Sequence, residues 1–100
     1  MIRHIVMFKL RPFENEAEKQ SAAQSVLEKL DELPAKIQYI RHYQAGADLR
    51  KLEWSYDIVL VMDFESMADL DAYTVHQAHR EFVAFNKSYS VEKVCVDFEI

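Results

Sequence analysis

The stretch SYDIVLVMDF, residues 55–64, decides the fold because its apolar residues occupy both faces of an extended strand. Alternation places Ile58 and Leu60 on one face, and Val59 and Val61 on the other. A sheet face that meets water in a monomer is expected to be clearly polar. We therefore expect helices over one face of this sheet and a second protein layer over the other.

Residues 1–10 show the same two-sided pattern and predict a second strand of the sheet. Ile5 and Met7 lie opposite the larger apolar row, which consists of Ile2, His4, Val6, Phe8 and Leu10. The chain has no remaining segment to cover a second sheet face. The simplest cover is another copy of the chain, packed sheet against sheet about a twofold axis. We therefore expect a homodimer through sheet faces.

Capping patterns predict where two helical segments begin. Asn15 and Glu18 form a capping box, and Pro34 ends the first helix because the residue before a proline disfavours helical conformation. Ser66 and Asp69 open the second segment. The first helix carries an apolar stripe formed by Ala23, Val26, Leu27, Leu30 and Leu33.

Two more strands, predicted at residues 37–44 and 91–100, complete the chain. The resulting order is strand–helix–strand–strand–helix–strand. This order predicts an α+β, ferredoxin-like βαββαβ fold with a four-stranded antiparallel sheet and two helical segments on one face. We expect one domain that spans residues 1–100.

The stretch AYTVHQAHREF, residues 72–82, carries the residues best suited to chemistry. The apolar phase of the second helical segment shifts here, which predicts a break near residues 74–77. Tyr73, His76 and His79 recur at every third residue, and His4 lies on the helix-covered face of the first strand. A neutral imidazole can accept a proton, and a phenol can orient or protonate a carbonyl oxygen.

Two other interpretations of the histidines stay open. Each histidine can be an amphipathic structural residue with a satisfied ring nitrogen. His4, His76 and His79 can also bind zinc through three nitrogens, but no carboxylate stands at a recognised spacing, and we expect neither a metal nor a cofactor.

Composition excludes several classes of protein. A net charge of -5 opposes nonspecific binding to nucleic acid or to anionic membranes. Cys95 is the one cysteine, so there is neither a disulfide framework nor a cysteine-based zinc site. No apolar run is long enough to span a bilayer, and the first residues do not resemble a signal peptide. We expect a cytoplasmic protein.

Three segments together resemble the stress-responsive A/B barrel (Dabb) family over nearly the whole chain. They are RHIVMFKL at residues 3–10, YDIVLVMDFES at residues 56–66 and AYTVHQAHREF at residues 72–82. The resemblance implies a dimeric α/β barrel of ferredoxin-like subunits. A plant branch, typified by olivetolic acid cyclase, implies a cofactor-free intramolecular aldol condensation of a linear polyketide.

The resemblance also implies roles for individual residues. His79 matches the general base and Tyr73 the group that hydrogen-bonds a substrate carbonyl, which makes them the expected catalytic pair. The expected substrate-binding residues are His4, His76, Ile58 and Phe82, and Ile58 stands where the plant cyclases have a histidine. Ala22 and Ala23 replace a bulky aromatic pair of those cyclases, and Gln77 replaces a usual proline, so we expect a different cavity shape.

We therefore expect a homodimer that binds a small carbonyl-containing, polyketide-like molecule between sheet and helices. His79 and Tyr73 would supply cofactor-independent chemistry of the cyclase or lyase type. One alternative is a noncatalytic stress-response or interaction protein. Another, by analogy of fold, is a cofactor-free monooxygenase.

Overall fold

The computed structural model describes all 100 residues as four strands and four helices. In chain order they are β1 (Ile2–Leu10), α1 (Glu16–Asp31), α2 (Leu33–Lys36), β2 (His42–Ala47), β3 (Ile58–Phe64), α3 (Met67–Val75), α4 (Gln77–Asn86) and β4 (Ser90–Glu99). The strands form one antiparallel sheet in the order β2-β3-β1-β4. The predicted ferredoxin-like fold is confirmed. None of the helices is long and apolar enough to cross a membrane.

The core lies between the helices and one face of the sheet. Leu60 and Met62 of β3 are almost fully buried, as are Val26 and Leu30 of α1. Burial of a side chain of this size contributes about 1.5–3 kcal/mol. The central strands β1 and β3 are therefore a rigid support for the residues that project from them.

Both predicted helix starts are confirmed by hydrogen bonds. The Asn15 Oδ1 atom accepts from the Glu18 backbone N–H at 2.9 Å, and the Ser66 Oγ atom accepts from the Asp69 backbone N–H at 3.2 Å. Each cap satisfies a backbone donor that has no partner within its helix.

Replacement of the first cap has a small and measurable expected effect. The Asn15→Ala substitution should lower the free energy of unfolding by about 1 kcal/mol, because the Glu18 N–H loses its acceptor. Urea denaturation followed by circular dichroism measures this change. Asn15→Asp retains an acceptor and should stay close to the wild type, and an equal loss in both variants would contradict the capping role.

The predicted end of the first helix was wrong. The helix α1 ends at Asp31, and Pro34 lies in the first turn of the short helix α2. Proline fits this position because the first backbone N–H groups of a helix need no partner within the helix. Pro34 therefore belongs to the start of α2 and does not end α1.

The predicted position of the second strand was also wrong. The strand β2 begins at His42, five residues after the predicted start at Ile37, and continues through Gly46 to Ala47. Ile37 is fully buried at the end of α2, where its backbone N–H bonds to Leu33. An apolar residue that resembled the start of a strand therefore packs into the core from a helical turn.

The outward face of the sheet, which no helix of the chain covers, is apolar over three neighbouring strands. Cross-strand pairing places on it Ile5, Met7, Val59, Val61, Val94 and Val96. Val96 and Phe98 are 62% and 42% exposed. A contiguous apolar surface of this kind marks an interaction site. The two-sided pattern of the sequence thus corresponds to a real apolar face.

Candidate functional site

The predicted break between two helices is confirmed at His76. The helix α3 ends at Val75, α4 begins at Gln77, and His76 between them has an extended backbone with ψ 142°. The His76 Nδ1 atom accepts the Ala78 backbone N–H at 3.0 Å and so caps α4. The break allows side chains of α3 and α4 to approach the same space from two helix axes.

Tyr73, His79 and His4 come together at one end of a cavity of about 540 Å³ between α3, α4 and the edge strand β4. The ring centroids of Tyr73 and His79 are 4.6 Å apart, and those of His4 and Tyr73 are 6.0 Å apart. Phe82 lines the same cavity and packs edge-to-face on Phe8 at 5.9 Å. The cavity is within the size range of small-molecule sites in proteins.

The hydrogen bond of His79 fixes which ring nitrogen can accept a proton. Its Nδ1 atom lies 2.9 Å from the Thr74 carbonyl oxygen, and a carbonyl oxygen only accepts, so Nδ1 carries the hydrogen. The Nε2 atom of the neutral ring is therefore unprotonated. Burial lowers the pKa of His79 below its ordinary value of 6.5, and the positive charge of Lys93 adds to this effect. His79 is accordingly suited to act as a base at neutral pH.

The Tyr73 hydroxyl is suited to donate a hydrogen bond to a ligand. Burial raises the pKa of Tyr73 above its ordinary value, so the phenol stays protonated at neutral pH. The side chain is only 2% exposed, and its hydroxyl forms no hydrogen bond to another protein group. Tyr73 is among the residues that line the cavity.

His4 has a partner that the sequence analysis missed. Its Nδ1 atom donates to a carboxylate oxygen of Asp97, and the two residues face each other across β1 and β4. This bond holds the imidazole ring beside Tyr73, with the ring centroids 6.0 Å apart. The alternation of residues in β4 already indicates that Asp97 lies on the face opposite Val96 and Phe98. The pairing of Asp97 with His4 follows only from the register of β4 against β1.

Two of the expected substrate-binding residues do not line the cavity. Ile58 is 2% exposed and packs in the core, and His76 caps α4. Because the His76 ring is turned to the backbone of α4, the three histidines do not form a group that could hold a metal ion. The structure thus brings together His4, Tyr73, His79 and Phe82.

The edge strand β4 supplies a further wall of the cavity that sequence analysis did not assign. Lys93, Cys95 and Asp97 alternate along its helix-facing side, opposite Phe8, Val6 and His4 respectively. The helices leave this side of β4 exposed. The cavity is therefore open along β4, and its charged groups are accessible to a ligand.

Solved structures with the same fold cover almost the whole chain. A dimeric ferredoxin-like protein of unknown function from Bacteroides fragilis NCTC 9343 is 30% identical, with a TM-score of 0.87 over 99% of this chain and 95% of its own. A dimeric ferredoxin-like protein of unknown function from Thermobifida fusca YX is 29% identical, with a TM-score of 0.83 over 99% and 90%. The hydroxynitrile lyase from Passiflora edulis is 16% identical, with a TM-score of 0.81 over 99% and 92%, and shares the fold.

A search of curated proteins by sequence finds no match. The sequence profile described as Stress responsive A/B Barrel Domain matches residues 2–100. This match covers nearly the whole chain and agrees with the four-stranded sheet and the covering helices. The chain therefore belongs to the stress-responsive A/B barrel (Dabb) family.

Proposed function

We propose that two copies of the chain pack through their outward sheet faces. The apolar residues on this face support the arrangement, since a second sheet would remove them from water; they are partly exposed on β3, and Met7 of β1 and Val94, Val96 and Phe98 of β4 are exposed. The main charged pair on the face is already satisfied, because Arg3 binds both carboxylate oxygens of Asp63 at 2.8 and 2.9 Å. The two dimeric ferredoxin-like neighbours have the same subunit fold.

We propose that each subunit binds a small carbonyl-containing molecule in the cavity beside α3, α4 and β4. The observation that carries the proposal is the Tyr73–His79 pair, a protonated phenol and a free imidazole nitrogen with ring centroids 4.6 Å apart on the cavity wall. Apolar side chains such as Phe8, Leu60 and Phe82 provide most of the remaining surface. A ketone or related carbonyl compound has the matching chemistry, with one polar oxygen on an apolar chain.

The pair supports cofactor-independent acid–base chemistry of the cyclase or lyase type. The His79 Nε2 atom would remove the proton from the carbon next to the carbonyl, and the Tyr73 hydroxyl would stabilise the negative charge that develops on the carbonyl oxygen. His4, held by Asp97, would orient the bound carbonyl. The resulting enolate can attack a second carbonyl. Alternatively, the Tyr73 hydroxyl and the His79 imidazole can catalyse a carbon–carbon cleavage. The hydroxynitrile lyase with this fold supports the cleavage reaction.

Hydrogen–deuterium exchange tests the base chemistry without knowledge of the natural substrate. Dissolved in D₂O, 2-octanone should lose its α-proton NMR signals faster with the wild-type protein than in buffer alone. The imidazole would take the proton and return deuterium from solvent. If 2-octanone exchanged no faster with the protein than in buffer alone, at any protein concentration, the role of His79 as a base would be refuted.

The exchange rate should increase with pH as the His79 ring loses its second proton. Only the neutral ring accepts a proton, so the rate should rise as the pH increases through the pKa of His79 and then level off. Because burial lowers this pKa, the midpoint should lie below 6.5. NMR titration of the His79 ring should give the same midpoint as the rate profile. A midpoint clearly above 6.5, or a rate that falls with increasing pH, would contradict the assignment.

One observation favours a noncatalytic alternative. The His79 Nδ1–H group bonds to the Thr74 carbonyl oxygen and so joins α4 to the end of α3 across the break at His76. A protein whose function is association alone could retain the histidine for this bond. The two roles use different ring nitrogens, so substitutions can separate them.

A further inference from the structure

Cys95 places the single thiol of the chain on the wall of the cavity that also holds Tyr73 and His79. The residue is exposed and forms no disulfide. It lies on the helix-facing side of β4, opposite Val6, and so on the side of the sheet that the proposed dimer leaves free. Neither the core nor the proposed sheet interface includes this thiol, so a ligand in the cavity can reach it.

The strand register places Cys95 next to the pair formed by His4 and Asp97. Asp97 is two residues further along the same side of β4, about 7 Å away between Cα atoms. His4 is the diagonal neighbour of Cys95 across β1, and diagonal neighbours on one face of an antiparallel pair have Cα atoms about 7–8 Å apart. The thiol therefore belongs to the same end of the cavity as the His4 ring, whose centroid is 6.0 Å from that of Tyr73.

His79 approaches this part of β4 from the helix side. Besides burial, the charges of Lys93 and His4 lower the pKa of His79. Lys93 precedes Cys95 by two residues on the same side of β4, whereas His4 pairs with Asp97, two residues after Cys95. His79 thus lies within electrostatic range of residues on both sides of Cys95. This arrangement places a proton acceptor near the thiol.

The Tyr73 hydroxyl is a separate indication that a ligand occupies this space. The side chain is only 2% exposed, lines the cavity and forms no hydrogen bond to another protein group. Buried polar groups in proteins are nearly always hydrogen-bonded, so an acceptor supplied by a ligand would complete this donor. Together with Cys95, the cavity offers a donor for a carbonyl oxygen and a nucleophile for a carbon atom close to it.

An α,β-unsaturated ketone has the chemistry that matches both groups. Its carbonyl oxygen accepts a hydrogen bond, and its β-carbon, two bonds from the carbonyl carbon, is the atom that a thiol attacks. A donor at the oxygen accelerates this attack, because negative charge develops on the oxygen as the sulfur–carbon bond forms. Val6 and Leu60 provide apolar surface for the remaining carbon chain.

We propose that Cys95 is a covalent attachment site for α,β-unsaturated carbonyl compounds bound in the cavity. This inference rests on the proposed function, since the carbonyl would lie at Tyr73 and His79. The sulfur forms a bond to the β-carbon, the carbon–carbon π bond breaks, and its electron pair is held as an enolate. The thiol proton passes to the His79 Nε2 atom and then to the α-carbon. The product is a saturated ketone joined to Cys95 by a thioether, and no other reactant is consumed.

Two electrophiles separate activation by the cavity from simple exposure of the thiol. Intact-protein mass spectrometry at neutral pH gives the rate at which one molecule of 3-octen-2-one adds to the protein. Iodoacetamide alkylates a thiol by displacing iodide, so its rate reports the accessibility and nucleophilicity of Cys95 without an oxyanion. The ratio of the enone rate to the iodoacetamide rate should be at least about tenfold higher for the protein than for N-acetylcysteine. The saturated ketone 2-octanone should slow the enone by competition.

Three variants test the residues involved. Cys95→Ser should form no adduct. Tyr73→Phe removes a hydroxyl that no protein group binds, so the fold should be kept while the rate ratio falls by at least about tenfold. Tyr89→Phe is the matched control, because Tyr89 packs on Phe85 and does not line the cavity. That variant should retain the wild-type ratio.

The outcomes separate this inference from the proposed function. An adduct that survives Cys95→Ser, a ratio no higher than that of N-acetylcysteine, or a ratio unchanged in Tyr73→Phe would each overturn the attachment site. If 2-octanone still shifts the His79 NMR signals in that case, the carbonyl site stands. An adduct that depends on Tyr73, without any exchange of 2-octanone in D₂O, would support the attachment site and refute only the exchange chemistry.

Discussion

The His79→Asn variant is expected to lose the proposed catalysis and keep its stability. Asparagine places an amide nitrogen close to the position of Nδ1, so it can still donate to the Thr74 carbonyl, but it has no atom in place of Nε2. Loss of a positioned general base typically lowers a rate by about 10²–10⁴-fold. The exchange rate of 2-octanone in D₂O should therefore fall in this variant, whereas the thermal melting temperature should stay close to that of the wild type.

His79→Ala is the matched comparison, because it removes both nitrogens. It should lose the same activity and, in addition, about 1 kcal/mol of stability through the missing bond to Thr74. If His79→Asn exchanged 2-octanone as fast as the wild type, His79 would be a structural residue. The noncatalytic alternative would then be the better account of the fold.

The Val96→Asp variant is expected to be a monomer. Val96 lies beside Ile5 on the outward face and is 62% exposed in the single chain, so the subunit itself should tolerate a charge there. In a dimer through sheet faces, each copy would bury one unpaired carboxylate. A cost of several kcal/mol per interface should raise the dissociation constant by at least about 100-fold. Analytical ultracentrifugation over a range of concentrations measures this constant.

Val75→Asp provides a close control for the dimer. Val75 is also 62% exposed, but it lies at the end of α3 on the helix side of the sheet. This variant should sediment like the wild type. A dimer that survives Val96→Asp and dissociates with Val75→Asp would place the interface on the helices.

Local sequence signals predicted most of the fold, and the two errors have a common physical reason. Caps at Asn15 and Ser66 depend on neighbouring residues, and both were predicted correctly. The position of β2 depends on what Ile37 packs against, which is a property of the assembled core. Burial of Ile37 from a helical turn overrides its preference for a strand. Pro34 is likewise compatible with either the end or the beginning of a helix.

The candidate site was predictable only in part because its walls come from distant parts of the chain. The phase shift near His76 predicted the break, and the convergence of Tyr73 with His79 followed from it. Asp97 and Lys93 could not be assigned, since their contribution depends on the register of β4 against β1. The role of His76 as a helix cap likewise depends on the direction of its ring.

Long-range ¹H–¹⁵N NMR of the histidine rings tests the central claim most directly. At neutral pH the His79 ring should be neutral, with hydrogen on Nδ1 and none on Nε2. Addition of 2-octanone should then shift the Nε2 signal of His79, because the proposed site places the ketone between this atom and the Tyr73 hydroxyl. A hydrogen on Nε2 in the free protein, or an Nε2 signal unchanged at saturating ketone, would contradict the account.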